Sequence, residues 1–472
     1  MSEFYNAPWS ERYSSESMLA NFSNDNKYIT WRRLWIALAE SQMELGLSIT
    51  PKQIQDLKDN STNIDYKNIK QYEQELHHDV MSHIKAYGDV APSAKGIIHL
   101  GATSAFVTDN TDLIQIKKGL EIIRIGLVQT IDALSILALK YKDTPTLGFT
   151  HFQAAQLTTV GKRTTLWIQS FVMDLQDLDY IYDNLTLRGI KGAVGTGSGF
   201  FDLFDGDYEK FKQLDSLIVN KLGFTKSIPV SGQTYDRKID SKIADLLNQI
   251  AQSAHKFTND IRLLQSLKEM EEIFEDKQIG SSAMAYKRNP ILSERISSLS
   301  KFIISLSSSP SLVASTQWFE RTLDDSANKR VTMPQLFLAT DAVLILCKKI
   351  SSRLTIYPKI IEKHINEELP FIATEALLMK AVKKGGDRQE LHEIIRGHSM
   401  KSSDKVKYEA LDNDLIIQLS TDDTFPLNLE EITETLNINN FTGYATEQTV
   451  DFLTNIVAPI LIKYQSLIKK MS

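Results

Sequence analysis

Apolar positions recur at helical spacing over long stretches of the chain. In segment 31–45, Trp31, Leu34, Trp35, Leu38 and Leu45 share one face. In segment 112–140, Leu113, Ile116, Leu120, Ile123, Leu127, Ile131, Leu134 and Leu137 form a continuous apolar stripe. Segments 157–187, 239–270 and roughly 336–356 repeat the pattern. Sustained alternation of the strand kind is scarce. The pattern predicts an all-α fold. A helix near 30 residues is about 45 Å long, and several such rods bury their stripes against one another as a bundle.

Between the rods lie segments rich in Gly, Ser, Thr, Pro and charge: 96–109, 143–156, 189–199, 228–237, 280–290 and 317–330. They are more polar and more specific in composition than plain connectors. Loops on a rigid scaffold often carry function. A charge-rich stretch follows Ile356, and shorter helical patterns then return, which suggests a final domain.

Length and composition narrow this picture. At 472 residues the chain exceeds one compact core, since single cores stop growing near ~250–300 residues. Two or three domains are expected. The hydrophobic share of 42% and the charged share of 24% are those of a globular protein. A net charge of −6 argues against a nucleic-acid surface, which needs a basic face. It leaves room for an anionic small substrate, because a few placed cations decide that locally. Cys347 is the single cysteine, so no disulfide framework is expected and the cytoplasm fits. The first residues lack the basic-then-apolar layout of a signal peptide. The longest uncharged stretch, 302–319, is rich in serine and carries Pro310, so no membrane span is expected.

The segment Gly280-Ser-Ser-Ala-Met-Ala-Tyr-Lys-Arg-Asn-Pro290 carries the strongest chemical signal. "Ser-Ser near Lys-Arg" by itself reads as a solvated turn between helices. A serine nucleophile needs a partner base, and no Gly-x-Ser-x-Gly elbow is present. Hydrolase chemistry therefore fits poorly. The whole string, however, resembles the signature Gly-Ser-Ser-x-Met-Pro-x-Lys-x-Asn-Pro of the fumarase, aspartase, argininosuccinate lyase and adenylosuccinate lyase superfamily. One position departs: Ala285 stands where proline is usual. That frees a backbone dihedral and removes no reactive group.

Other strings resemble the adenylosuccinate lyase family, of the longer eukaryote-like kind, nearly from end to end. They are Ser10-Glu-Arg-Tyr13, His78-Asp-Val-Met-Ser-His83, Gly96-Ile-Ile-His-Leu-Gly-Ala-Thr-Ser104, Thr150-His-Phe-Gln-Ala-Ala-Gln156, Ser231-Gly-Gln-Thr-Tyr235, Gln317-Trp-Phe-Glu-Arg-Thr-Leu-Asp-Asp-Ser-Ala327 and Glu368-Leu-Pro-Phe-Ile-Ala-Thr-Glu375. The resemblance implies β-elimination of fumarate from adenylosuccinate, giving AMP. It also implies cleavage of the succinylated aminoimidazole carboxamide ribotide of purine synthesis (SAICAR), giving AICAR. No cofactor or metal is implied. The implied fold is fumarase/aspartase-like: three mainly helical domains, 1–111, 112–356 and 357–472, the middle one a central long-helix bundle. The implied assembly is a homotetramer of 222-type symmetry whose sites draw on three subunits.

The same resemblance implies residue roles. Ser281 is the general base and His151 the general acid. Lys287 and Asn289 lie beside the substrate, and His78 and Asp79 form a binding pair. Arg12 and Tyr13 contact phosphate, while the Thr103 and Ser104 hydroxyls contact the succinyl part. Gln233, Arg295, Arg321, Ser326 and Arg330 are further substrate contacts. Arginine suits both carboxylates and phosphate through its two-pronged donor geometry.

Plainer readings stand beside these. His151 reads on spacing as a cap for a helix beginning near Gln156. His77, His78, Asp79 and His83 cluster, but only Asp79 and His83 share an i,i+4 face, and no metal is expected. Arg321, Asp325 and Lys329 read as ion pairs of a helix start. The segment Gly189-Ile-Lys-Gly-Ala-Val-Gly-Thr-Gly-Ser-Gly199 suggests a nucleotide loop, yet it follows a helix rather than a strand. The resembling enzymes usually read Lys-Gly-Thr-Thr-Gly-Thr-Gln-Ala-Ser there, and usually carry arginine where His77 stands. A non-catalytic structural relative, as some lens crystallins are, a nucleotide-binding regulator and a lyase of another succinyl compound are the alternatives.

Overall fold

The computed structural model describes residues 7–275, 277–278, 283–284 and 286–469. Seven helices position the chemistry: α1 (Asn24–Glu44), α2 (Asp79–Val90), α3 (Ser104–Lys140), α4 (Val160–Asn184), α5 (Lys238–Ser266), α6 (Ile291–Leu306) and α7 (Asp324–Arg353). Strands are few and short. β1 (Pro145–Thr150) pairs antiparallel with β2 (Gln153–Thr159), and Met270–Glu271 pairs with Thr355–Ile356. The chain is mainly helical, as its apolar stripes predict.

Several boundaries differ from the stripes. α1 starts at Asn24, before the first apolar residue of its stripe, because the Ser23 side chain accepts the Asn26 N–H and closes the first turn. α3 and α7 also begin early, at Ser104 and Asp324, with polar first turns that no apolar periodicity marks. Segment 157–159 is strand rather than helix, since β2 runs on to Thr159 and α4 opens at Val160.

The chain forms two compact units. The first comprises 1–127, 173–254 and 298–345. Its helices pack at small residues: a Cβ on Gly119 would lie 2.8 Å from the Phe337 ring, and one on Gly126 would lie 3.0 Å from Leu344. Trp31, Trp35 and Tyr87 fill the core between α1 and α2.

The second unit comprises 128–172, 255–297 and 346–472. Trp167 and Phe171 of α4 pack on Phe257 of α5, with ring centroids 5.2 and 6.3 Å away. A separate cluster toward the C-terminal end gathers Leu377, Leu391, Leu415, Leu419 and Ile432, all buried. Two helices, Ser104–Lys140 and Asp324–Arg353, are long and apolar enough by length and composition to cross a membrane. Half or more of the apolar window of each is buried within the protein, as in core helices.

Candidate active site

A cleft of about 740 Å³ opens in the first unit, and its lining gathers eight of the residues singled out from sequence. They are His78, Asp79, Thr103, Ser104, Gln233, Arg321, Ser326 and Arg330. Four chain segments supply them.

The first is the start of α2. His78 is its N-cap, and the ring Nδ1 accepts the Met81 N–H at 3.3 Å. In the neutral ring the proton then sits on Nε2, which faces the Ser104 hydroxyl at 3.5 Å. Asp79 follows in the first helical turn. Burial alone would raise its carboxyl. The Val80 amide and the Arg330 guanidinium, 2.9 Å away, more than offset this and hold it below the usual carboxylate range.

The second segment is 96–104. Trp35 donates to His99 at 2.9 Å and Gln42 donates to the Leu100 carbonyl at 2.9 Å, so α1 anchors the turn before Thr103. The third is 228–237. Gln233 accepts from Arg321 at 2.8 Å, and its own amide donates to the Glu320 carbonyl at 3.0 Å. The fourth is the start of α7, with Ser326 and Arg330.

The glycine-rich segment 189–199 is structural here. Gly195 has φ +88°, and a Cβ on it would fall 1.8 Å from the Ser231 carbonyl oxygen. Gly199 approaches the Gly101 carbonyl, at 3.1 Å from its Cβ position. The segment thus seats the second and third segments by backbone contact that side chains would prevent.

Beneath the cleft lies a buried ion-pair lattice. Arg237 pairs with Asp109 at 3.1 Å and with Asp325 at 2.6 Å. Lys329 reaches Asp109 at 3.2 Å and also Asp112. The Tyr235 hydroxyl donates to Asp240 at 2.7 Å. Burial raises the Asp109 carboxyl, but Lys329 and Arg237 overcome it and bring it down to about 2. Asp240 goes the other way: burial outweighs Arg237 and lifts it to about 6. The expected helix-start pairs are half right. Arg321 does approach Asp325, at 3.7 Å, but Lys329 turns to Asp109 and Asp112 instead. The lattice links α3, α5's leading loop and α7, which are three of the cleft's four sources.

Two polar atoms of the cleft are left over. The Thr103 hydroxyl oxygen and Arg321 Nε are buried with no hydrogen-bond partner among the described residues. Such atoms are costly unless a ligand satisfies them. Lys27, Glu73, Thr108 and Asp112 also line the cleft and were not singled out from sequence, and Lys329, read there only as an ion-pair partner, lines it too. His77 lines it too, as the left-handed C-cap of helix Tyr66–Leu76. His83 does not. It turns inward onto Tyr28, with ring centroids 4.0 Å apart, and burial pushes it down to about 4. That breaks up the histidine cluster seen in sequence. Arg12 and Tyr13 lie in the single turn Trp9–Tyr13 of the same unit and do not line the cleft.

The remaining residues belong to the second unit, apart from Ser281, which lies outside the described residues. His151 is exposed at the tip of the β1–β2 hairpin. It and Phe152 form a two-residue turn with φ of 53° and 57°. Such turns favour Asn-Gly, because both central residues need positive φ. Bulky residues held there are strained, and such strain gathers at functional sites. His151 caps no helix, since β2 intervenes before α4. Lys287 is exposed, and its amide donates to the Met284 carbonyl at 3.1 Å. Asn289 precedes α6, and Arg295 stands on it, partly buried. Glu272 anchors this stretch by accepting the Leu292 and Ser293 amides at 2.8 and 2.9 Å. Arg288 is tied to Glu271 at 3.1 Å.

Comparison with known proteins places the fold first. The solved 3-carboxy-cis,cis-muconate lactonizing enzyme from Pseudomonas putida aligns with a TM-score of 0.83 at 21% identity, covering 98% of this chain and 100% of that one. A fumarate lyase from Mesorhizobium sp. BNC1 aligns with a TM-score of 0.80 at 20% identity, covering 96% and 99%. The chain therefore has the helical fold of the fumarate lyases. A lyase family model matches residues 6–304, and a model of the adenylosuccinate lyase C-terminus matches residues 370–452. Curated adenylosuccinate lyases of Schizosaccharomyces pombe and Saccharomyces cerevisiae are each 47% identical, covering 98% of this chain and 97% and 96% of theirs. One from Pyrococcus abyssi is 31% identical over 84% of the chain. The chain belongs to the adenylosuccinate lyase family.

Proposed function

We propose that this chain cleaves adenylosuccinate to AMP and fumarate, and SAICAR to AICAR and fumarate, as a lyase of purine nucleotide synthesis. Ser281, as the alkoxide, takes the proton from the succinyl Cβ. The electron pair of the broken C–H bond is first held by the neighbouring carboxylate. It then forms the C=C bond of fumarate as the C–N bond breaks. His151 gives its proton to the departing nitrogen. A neutral serine is too weak a base for this step, and each pKa unit by which its alkoxide is favoured corresponds to ~1.4 kcal/mol. Lys287 is the cation assigned to that task, with Asn289 beside it.

Thr103 and Ser104 hold the succinyl part, and Arg12 and Tyr13 the phosphate. His78, Asp79, Gln233, Arg295, Arg321, Ser326 and Arg330 complete the substrate contacts. The chain works as a cytoplasmic homotetramer with sites shared between subunits.

One observation carries the reading. Thr103 and Arg321 line a cleft edged by cations, and the Thr103 hydroxyl oxygen and Arg321 Nε are buried without a hydrogen-bond partner among the described residues. Both atoms are donors, and a carboxylate-rich ligand supplies the acceptors they lack. The test is fumarate release from adenylosuccinate, argininosuccinate and aspartate offered separately to the purified protein. Release from adenylosuccinate alone is expected. No release from it, or release only from another compound, overturns the substrate assignment. Mixing inactive His151→Gln and Ser281→Ala proteins tests the shared sites. Recovered activity is expected, and none from demonstrated mixed tetramers argues for sites within one subunit.

A further inference from the structure

Four lysine and arginine side chains line the cleft of the first unit: Lys27, Arg321, Lys329 and Arg330. Three already have partners. Lys329 lies between Asp109 and Asp112, Arg330 pairs with Asp79, and Arg321 donates to Gln233. Lys27 differs. Among the described residues no carboxylate lies within ion-pair distance of its ammonium. Its Nζ sits instead 5.4 Å from the ring centroids of both Tyr28 and Trp31. Glu73, the other cleft carboxylate, is exposed.

The position disfavours a bare cation in two further ways. Lys27 stands in the first turn of α1, at the positive end of the helix dipole. It is also partly buried: desolvation first, then the charge of Arg330, pull its ammonium below the ordinary lysine value, and the more distant Asp112 and Asp79 offset this only in part. A desolvated cation without a counter-ion is unfavourable until an anion arrives.

We propose that Lys27 is a further binding residue of this cleft, a cation that receives an anionic oxygen group of the substrate, either carboxylate or phosphate. The identity of that substrate rests on the lyase reading above; the anion site itself does not.

The test uses Lys27→Met and Lys27→Arg in the full-length protein. Lys27→Met is expected to raise KM for adenylosuccinate about 10- to 100-fold while kcat stays within about threefold, and Lys27→Arg to keep KM within about threefold. Inhibition by inorganic phosphate and by succinate separates the two sources. The anion that Lys27 holds loses affinity in Lys27→Met by a similar factor, and the other does not. An unchanged KM together with two unchanged inhibition constants overturns the proposal. Labelling of the unmodified protein with acetic anhydride, read by mass spectrometry, serves if Lys27→Met does not fold. Protection of Lys27 by phosphate or succinate is expected, and equal labelling with and without both anions overturns the proposal. Absence of fumarate release by the wild-type protein strikes the lyase reading and leaves anion protection at Lys27 readable.

Discussion

In the first unit, Arg237 and Lys329 each bridge two carboxylates, and the walls of the cleft are tied to one another by charge. In the second, His151 stands exposed on a two-residue turn, and its direction comes from the left-handed backbone of that turn. The two regions hold functional side chains by different means. Buried ion pairs fix a binding surface before the ligand arrives. The turn presents the His151 ring to solvent rather than burying it. Cutting a tie in the first region is therefore expected to cost fold stability. Changing His151 in the second is expected to cost catalysis.

The largest effect should come from His151→Gln. Loss of a general acid lowers kcat about 10²- to 10⁴-fold with little change in KM, and steady-state kinetics would show it. A normal kcat would move the acid elsewhere and dissolve the contrast between the two regions. Next comes Arg237→Leu, which leaves Asp109 and Asp325 buried without their shared partner. A loss of ~3–5 kcal/mol in unfolding free energy is expected from denaturant titration. A much smaller loss would mean that the lattice does not hold the cleft together.

The pH dependence of stability sharpens the account of the lattice. Asp109 lies at about 2 in the folded state against an ordinary 3.8. Its contribution is present above the ordinary value and is lost as pH falls toward 2. Asp240 has the opposite sign. With a folded value near 6, its contribution is full below 3.8 and declines as pH rises through 6. Asp240→Asn should therefore flatten the curve over that window and add about 1–3 kcal/mol near neutral pH. An unaltered pH profile would contradict the assignment. The smallest effect belongs to the hairpin. Phe152→Gly relieves one strained φ but loses ring contact with Phe149, so unfolding free energy should change by less than ~1 kcal/mol. A larger change would mean that the turn is a structural tie after all.

The long helices were legible because their stripes repeat over many turns, as from Leu113 to Leu137. Their polar first turns at Ser104 and Asp324 carry no apolar spacing to mark them, and only the charges Arg321, Asp325 and Lys329 pointed to the second. The β1–β2 hairpin escaped notice for a related reason: Gln153-Ala-Ala-Gln-Leu-Thr-Thr159 lacks the large alternating side chains that mark a strand. The turn at His151-Phe152 has none of the Gly or Asn that marks one. The cleft residues were found through their resemblance to a family rather than by spacing. Thr103, Gln233 and Arg321 come from distant segments that only tertiary packing unites. Lys27 lies before the apolar stripe that starts at Trp31, and nothing local in the sequence distinguishes it. His83 was set apart from His78 already by helix spacing, and the structure turns its ring into the core against Tyr28.

The most direct test of the account is Ser281→Ala, assayed for fumarate release and, separately, for adenylosuccinate binding. The account predicts turnover reduced about 10³-fold or more with binding largely preserved, because only proton removal is lost. Turnover within a fewfold of the unmodified protein would show that another group takes the proton.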